Sequence, residues 1–390
     1  MSALSSLTPA QREALMDGPA ATPPAGQVSN LVDPPNSQAA GRAVHMTLVA
    51  LTSIFFIVRV YTKVFLIRHI RMSDYMMFIS WGLFMGYIAP AWIVGDVAPG
   101  VDQWNLTVRN FITLLYYFHG AAIIYGLSIC FAKVSLLLQL LEIFGQGRDF
   151  FWWCCYGTIA FNLVFYTICV FVLIFSCDPV SKAWNIFDAG TCMNTRLFNI
   201  FAAVVNSISD LVVLILPQIR IWGLQMALRR KVAISTVFLS GVLACVAGIV
   251  RLAYIILLFK TSNNISYFSY VVGIWTLPEM AFGIIAGCLP SCPKFFQAVS
   301  QSAARSKWGS SLQNIRSGAG KRSKQSSNDS HTVDSEAQRP KGNERRGPPD
   351  QYPLTSFASA PGTTDLTAIT RMSTSSARGS DSHGATTTSR

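Results

Sequence analysis

The feature that most constrains this chain is a series of long apolar runs, at approximately 44–66, 75–95, 111–143, 152–176, 197–219, 232–258 and 268–290. A hydrocarbon core of about 30 Å is crossed by about 20 consecutive apolar helical residues. Each run reaches that length, which soluble helices rarely do. Backbone polar groups within lipid must be satisfied internally, so the runs predict transmembrane helices. The expected fold is an all-α bundle of seven such helices over residues 44–297. The third run exceeds the bilayer's need and should tilt or project.

The flanks differ in character. Residues 1–43 are rich in Ala, Pro and Ser without a signal-peptide core, and 298–390 are Ser, Thr, Gly, Lys and Arg with few aliphatics. Such segments bury too little apolar surface to offset their ordering entropy, so both tails are expected to be disordered. The net charge of +12 is concentrated toward the second tail. Beside a bilayer it reads as attraction to anionic lipid rather than to nucleic acid.

Short cationic loops stay in the cytoplasm. Arg68 and Arg71, Arg148, the group Arg220, Arg229, Arg230 and Lys231, and finally Lys294, Arg305 and Lys307 all fall on one side. The alternate loops carry Asp96, Asp102, Asp178 and Asp188. The N-terminus is therefore expected outside and the C-terminus inside, in the plasma membrane. The glycosylation sequons Asn105-Leu106-Thr107 and Asn264-Ile265-Ser266 fall in outward loops, whereas Asn328-Asp329-Ser330 falls in the inward tail.

Cys177 and Cys192 share the outward fourth loop, where an oxidising compartment lets them pair as a disulfide. The other cysteines lie in or at the ends of spans and read as small apolar packing residues. Cys288 and Cys292, at the inner boundary ahead of Phe295, Phe296 and Val299, leave palmitoylation open.

Four charges lie deep within apolar runs: Lys133, Asp210, Arg251 and Glu279. By helical rise, Lys133 and Asp210 lie roughly 13–15 Å from their inner helix ends, and Arg251 and Glu279 roughly 10–14 Å from their outer ends. Like depth and opposite sign favour Lys133–Asp210 and Arg251–Glu279 pairs, with swapped partners still open. Intramembrane charges are functional candidates by default.

Several motifs occur in a telling order: Arg59-Val60-Tyr61, Ser73-Asp74-Tyr75, Cys177-Asp178-Pro179-Val180 with Trp184, Asn206 with Asp210 and Leu216-Pro217, Gly241 with Arg251, and Glu279 with Leu289-Pro290. Together they resemble the fungal rhodopsin-like integral membrane domain, over about residues 44–297. That family includes Pth-type receptor-like proteins and integral membrane proteins of secondary-metabolite clusters. The resemblance implies a seven-helix receptor-like fold, an unidentified extracellular ligand, and a heterotrimeric G protein or another cytoplasmic effector as partner. Two departures stand out: no cysteine precedes Cys130, so a cysteine-rich extracellular domain is not expected, and Ser73 stands where an aspartate is common.

Seven helices, a tied outer loop and a Ser/Thr-rich tail open to phosphorylation favour a receptor. The third helix ends Leu141-Glu142-Ile143-Phe144 without Asp-Arg-Tyr, which is no support for classical coupling. Retinal needs a lysine in the seventh helix, and Tyr270 to Pro290 has none, so no cofactor is expected. A small-molecule transporter, or an accessory protein of a secondary-metabolite pathway, is the alternative, and Leu216-Pro217-Gln218 is its one cue. No HExxH, GxSxG or metal-spaced cluster appears, so enzyme activity is not expected.

Overall fold

Our computed structural model describes residues 8–145, 147, 149–221, 228–260 and 264–305, except for the side chains of 220–234 and 303–305. The Ser/Thr-rich segment beyond 305, Asn328 within it, Arg148 and the side chains of the fifth-loop cations lie outside the described residues.

A short helix α1 (Pro9–Met16) precedes the bundle. The long helices are α2 (Gln38–Tyr61, continued by a π-helical turn over Thr62–Ile67), α3 (Met72–Val97), α4 (Val108–Phe144), α5 (Phe150–Ile174), α6 (Thr195–Ile221), α7 (Leu228–Lys260) and α8 (Ile265–Cys288). A terminal helix, α9 (Cys292–Arg305), follows a single 3₁₀ turn at Leu289–Ser291. Among the described residues seven helices are long and apolar enough to cross a membrane. The protein is an integral, multi-pass membrane protein.

Helix α4 is the axis of the bundle, touching α3, α5, α6 and α8. Its 37 residues correspond to about 55 Å, well beyond the hydrocarbon core. Small polar residues bring it close to α3. Ser80 Oγ donates to the Ser128 carbonyl and Ser128 Oγ to the Ser80 carbonyl, both at 2.9 Å. Ser135 Oγ donates to the Ser73 carbonyl at 2.5 Å. Lipid supplies no hydrophobic drive between helices, so association relies on such close packing and hydrogen bonding.

The fourth loop folds back as a minimal hairpin. Strand β1 (Cys177–Asp178) pairs antiparallel with β2 (Thr191–Cys192), and Cys177 is disulfide-bonded to Cys192. Trp184 packs edge-on against Tyr116 of α4, with ring centroids 5.3 Å apart.

The N-terminal segment differs from the expected disorder over residues 8–37. Thr8 and Gln11 form a capping box on α1. Ala20 N donates to the Leu106 carbonyl (2.8 Å), Val108 N to the Gly18 carbonyl (3.0 Å) and Ser37 N to the Pro99 carbonyl (2.8 Å). Arg12 lies over the Phe187 ring, 5.2 Å from its centroid. The segment is held by backbone hydrogen bonds to the α3–α4 loop, which a composition-based estimate of apolar burial does not count.

Both described sequons sit at the hairpin end of the bundle. Asn105 Oδ1 accepts from Asn30 N (2.9 Å). Asn264 is engaged through both amide atoms: Nδ2 donates to Asp102 Oδ1 (2.6 Å), and Oδ1 accepts from Gln103 N (3.1 Å). A glycan on Asn264 Nδ2 would compete with that bond. We therefore expect an endoglycosidase-sensitive gel shift that disappears with Asn105→Gln and survives Asn264→Gln. Loss of the shift with Asn264→Gln alone would reverse this assignment.

Cys288 and Cys292 are both buried, and Cys292 Sγ donates to the Cys288 carbonyl at 3.8 Å. Neither thiol is presented for palmitoylation. Phe296 and Val299 of α9 are exposed instead, while Phe295 packs on Tyr61.

Candidate functional site: a buried ionic network beneath an open cavity

Lipid-spanning helices isolate charges from water, so the position of each charge's partner determines whether it is tolerated. Lys133 Nζ of α4 lies 2.9 Å from Asp210 Oδ1 of α6, and Arg251 Nε of α7 lies 2.6 Å from Glu279 Oε2 of α8. These are the partners that like depth and opposite sign suggest. Lys133, Arg251 and Glu279 are 2%, 6% and 0% exposed, so an unpaired member would be poorly hydrated in place.

The two pairs are fused by a residue that carries no charge. Asn206 Nδ2 donates to Asp210 Oδ2 (3.2 Å) and to Glu279 Oε1 (2.7 Å), while its Oδ1 accepts from Lys133 Nζ (3.0 Å). Asn206 and Asp210 are four residues apart on α6 and so share one helix face. Tyr166 of α5 donates to Asn206 Oδ1 and accepts from Lys133 Nζ. Tyr125 of α4 donates to Glu279 Oε1 (2.7 Å) and accepts from Arg251 Nη2 (2.8 Å). The result is a charge-balanced network shared by α4, α5, α6, α7 and α8. Gly248 of α7 faces it: a Cβ there would lie 3.5 Å from Asp210 Oδ2 and from the Glu279 carboxyl carbon. Larger side chains would push these helices apart.

Sequence reasoning named the four charges but not Tyr125, Tyr166 or the bridging role of Asn206. It also missed a second cluster. Arg59 of α2 and Asp74 of α3 are both fully buried, with Arg59 Nη2 2.6 Å and Nε 3.1 Å from Asp74 Oδ1. Lys63 Nζ lies 3.0 Å from Asp74 Oδ2. Arg59 Nη1 donates to the Gly287 carbonyl of α8. With its amide oriented to satisfy both neighbours, Gln139 of α4 accepts from Arg59 Nη1 (3.1 Å) and donates to Gly287 O (3.0 Å). Met77 packs directly over Gly287: a Cβ there would come within 2.1 Å of Met77 Cε, so the methionine side chain would have to move aside. Glu142 accepts from Ser73 Oγ (2.7 Å) and pairs with Arg71 (3.3 Å), extending the cluster to the end of α4. The available signal was Arg59 itself, inside an apolar run and two turns before its end.

Above the first network is a cavity of about 630 Å³. It begins at the hairpin disulfide, with Lys182 and Arg196 on its lining, and reaches Tyr125, Tyr166, Asn206 and Arg251 at its deep end. Leu115, Phe118, Val170, Leu173, Phe198 and Ile255 provide apolar walls. Volume and lining suit a small organic ligand. Among the described residues no group of three His, Cys, Asp or Glu side chains is placed to hold a metal ion.

The Lys133–Asp210 contact gives a direct mutational expectation. Asp210→Lys places two ammonium groups together and should abolish correctly folded protein; adding Lys133→Asp should restore part of it, read as monodisperse protein after detergent extraction. No improvement in the double variant would show that the contact does not carry the helix packing.

Comparison with known proteins matches the fungal rhodopsin domain to residues 58–298, a span that contains both ionic clusters and the cavity. The chain is 28% identical to fugralins biosynthesis cluster protein 2 of Gibberella zeae, over 72% of this chain and 71% of that protein. It is 34% identical to an SAT4 family membrane protein of Emericella nidulans, over 46% of this chain and 45% of that one. It is 25% identical to wortmanamides biosynthesis cluster protein C of Talaromyces wortmannii, over 43% of this chain and 45% of that one. No solved structure matches. With most of its length in the matched region, the chain belongs to the fungal rhodopsin domain family of membrane proteins.

Proposed function

We propose that this protein is a non-enzymatic receptor in which a small molecule enters the cavity from outside the cell and rearranges the ionic network at the cavity's deep end. The observation that carries this reading is continuity: Arg251 and Asn206 belong both to the cavity lining and to the network joining five helices. A ligand that touches either residue changes the partners of Glu279 and Asp210. Neutral, mutually satisfied networks in low dielectric resist partial disruption, so such a site favours discrete arrangements. A ligand shifts their populations only by its differential affinity for them.

The proposed orientation has the hairpin outside and the C-terminus in the cytoplasm of the plasma membrane. It is supported by both sequons and the disulfide occurring at one end, with Lys63, Arg71 and Lys294 toward the other. On this reading the Arg59–Asp74 cluster closes the inner end, where a heterotrimeric G protein or another effector would act.

The alternative is a transporter or accessory protein that handles a metabolite. It draws on relatives named for biosynthesis clusters and on the same cavity, since an outward-open carrier also has a closed inner end. Proximity labelling from a C-terminal fusion, combined with flux measurements in proteoliposomes, separates the two. Enrichment of a G-protein α subunit without flux supports the receptor. Saturable flux that is lost on narrowing the cavity with Ala202→Trp would replace it with the carrier.

A further inference from the structure

Resting on the reading of the cavity as the ligand site, we infer that its ligand is a lipophilic organic acid, whose carboxylate seats on Arg251 and whose apolar body lies along the walls toward the hairpin. The charge of the lining is one-sided. Arg251, Lys182 and Arg196 line the cavity, and no aspartate or glutamate is among its lining residues. The neighbouring acids are already engaged. Asp210 faces Lys133 and Asn206, and Glu279 faces Arg251, Tyr125 and Asn206. Asp188, beside Lys182, directs its carboxylate to Ser181 (2.5 Å) and Asn185 (2.8 Å), while its backbone carbonyl accepts from Lys182.

Arg251 itself retains donor capacity. Its Nε and Nη2 are directed to Glu279 and Tyr125, and Nη1 has no hydrogen-bond partner among the described residues. The residue is 6% exposed and contributes to the cavity lining. A guanidinium has five N–H donors in a planar fork that matches a carboxylate. Tyr166 and Asn206 beside it add polar contacts at the same depth. An amine would meet three cations and would have to displace an existing pair to find a carboxylate. A sugar would need many hydrogen bonds along walls that are mainly apolar, with Leu115, Phe118, Val170, Leu173, Phe198 and Ile255 among them. An apolar acid matches both the deep Arg251 and the apolar walls. Its carboxylate also competes with Glu279 for Arg251, which links occupancy to the network.

The test uses the full chain in zwitterionic lipid nanodiscs, with dansyl-undecanoic acid as the fluorescent probe and empty nanodiscs as the partition control. Linear and ring-containing monocarboxylic acids are compared with their methyl esters and with the corresponding amines as displacers. The acids should displace the probe at concentrations about tenfold or more below their esters, the factor given by about 1.4 kcal/mol. The charge-balanced double variant Arg251→Gln with Glu279→Gln should erase that preference, and Ala202→Trp or Val170→Trp should block binding, each checked for an intact thermal transition. Esters or amines that displace as well as acids, or a preference that survives in the double variant, would overturn the inference. If the tryptophan variants still block binding in that case, the cavity remains the ligand site and only the acid class is wrong. If probe binding ignores the tryptophans, the cavity reading fails as well.

Discussion

Glu279→Gln should destabilise the protein by about 3–5 kcal/mol, the usual cost of removing one partner from a buried ion pair. Glutamine keeps the shape and some hydrogen bonding but leaves the Arg251 guanidinium uncompensated. Arg251 meets the cavity only at its edge: it is 6% exposed and held under Tyr125, whose ring centroid lies 4.7 Å from Cζ, so water cannot replace the carboxylate on its Nε side. A chain with this length of folded region should lose roughly 10 °C or more from its thermal midpoint. The double variant Arg251→Gln with Glu279→Gln removes both charges and should regain most of the loss. Thermal melts of detergent-extracted protein, followed by the fraction remaining monodisperse, provide the check. Equal losses in the single and double variants would mean that the side chains matter only as packing volume.

Asp74→Asn should be more damaging still, because Asp74 is the shared anion of two cations. Lys63 is 11% exposed at its side chain and sits in the last turn of the first span, so its stem can carry the ammonium toward the interface. Arg59 has no such route, being fully buried and held to Gly287 O and Gln139. The expected outcome is little or no monodisperse protein. Arg59→Met together with Asp74→Asn should recover it, since a flexible apolar side chain then fills the space and Lys63 is free to snorkel. Near-normal yield of the Asp74→Asn single variant would show that the cluster is hydrated rather than structural.

The seven helices were legible in the sequence because lipid admits so few backbone solutions that apolar run length alone identifies them. The four deep charges were legible for a related reason: at mid-membrane a charge requires an opposite partner, and few are available. The bridging role of Asn206 was not, because an amide in a helix can be satisfied by many neighbours: Asp210 lies one turn away on the same helix, but only the assembled bundle brings Glu279 of α8 within its reach. Tyr125 and Tyr166 are two of many aromatics in apolar helices and nothing in their spacing marks them, yet their hydroxyls complete the hydrogen bonding of Glu279 and Lys133. Arg59 and Lys63 lie toward the end of an apolar run, where long cationic side chains commonly snorkel to the interface, so position alone does not announce a buried pair. The π-helical turn at Thr62–Ile67, which no local propensity announces, follows directly on Arg59's helix where Lys63 reaches the same carboxylate. The docking of residues 8–37 depends on backbone partners in a distant loop, to which amino-acid composition is blind.

The cavity's access side is the point on which the receptor reading turns, and cysteine accessibility tests it most directly. Ala202→Cys in a Cys169→Ala background places one reactive thiol on the cavity wall, away from the disulfide at the hairpin. A charged, membrane-impermeant thiosulfonate applied to intact cells should modify that thiol, and Val170→Trp, which fills part of the same cavity, should slow the reaction. Modification only when the reagent reaches the cytoplasmic face would contradict the account.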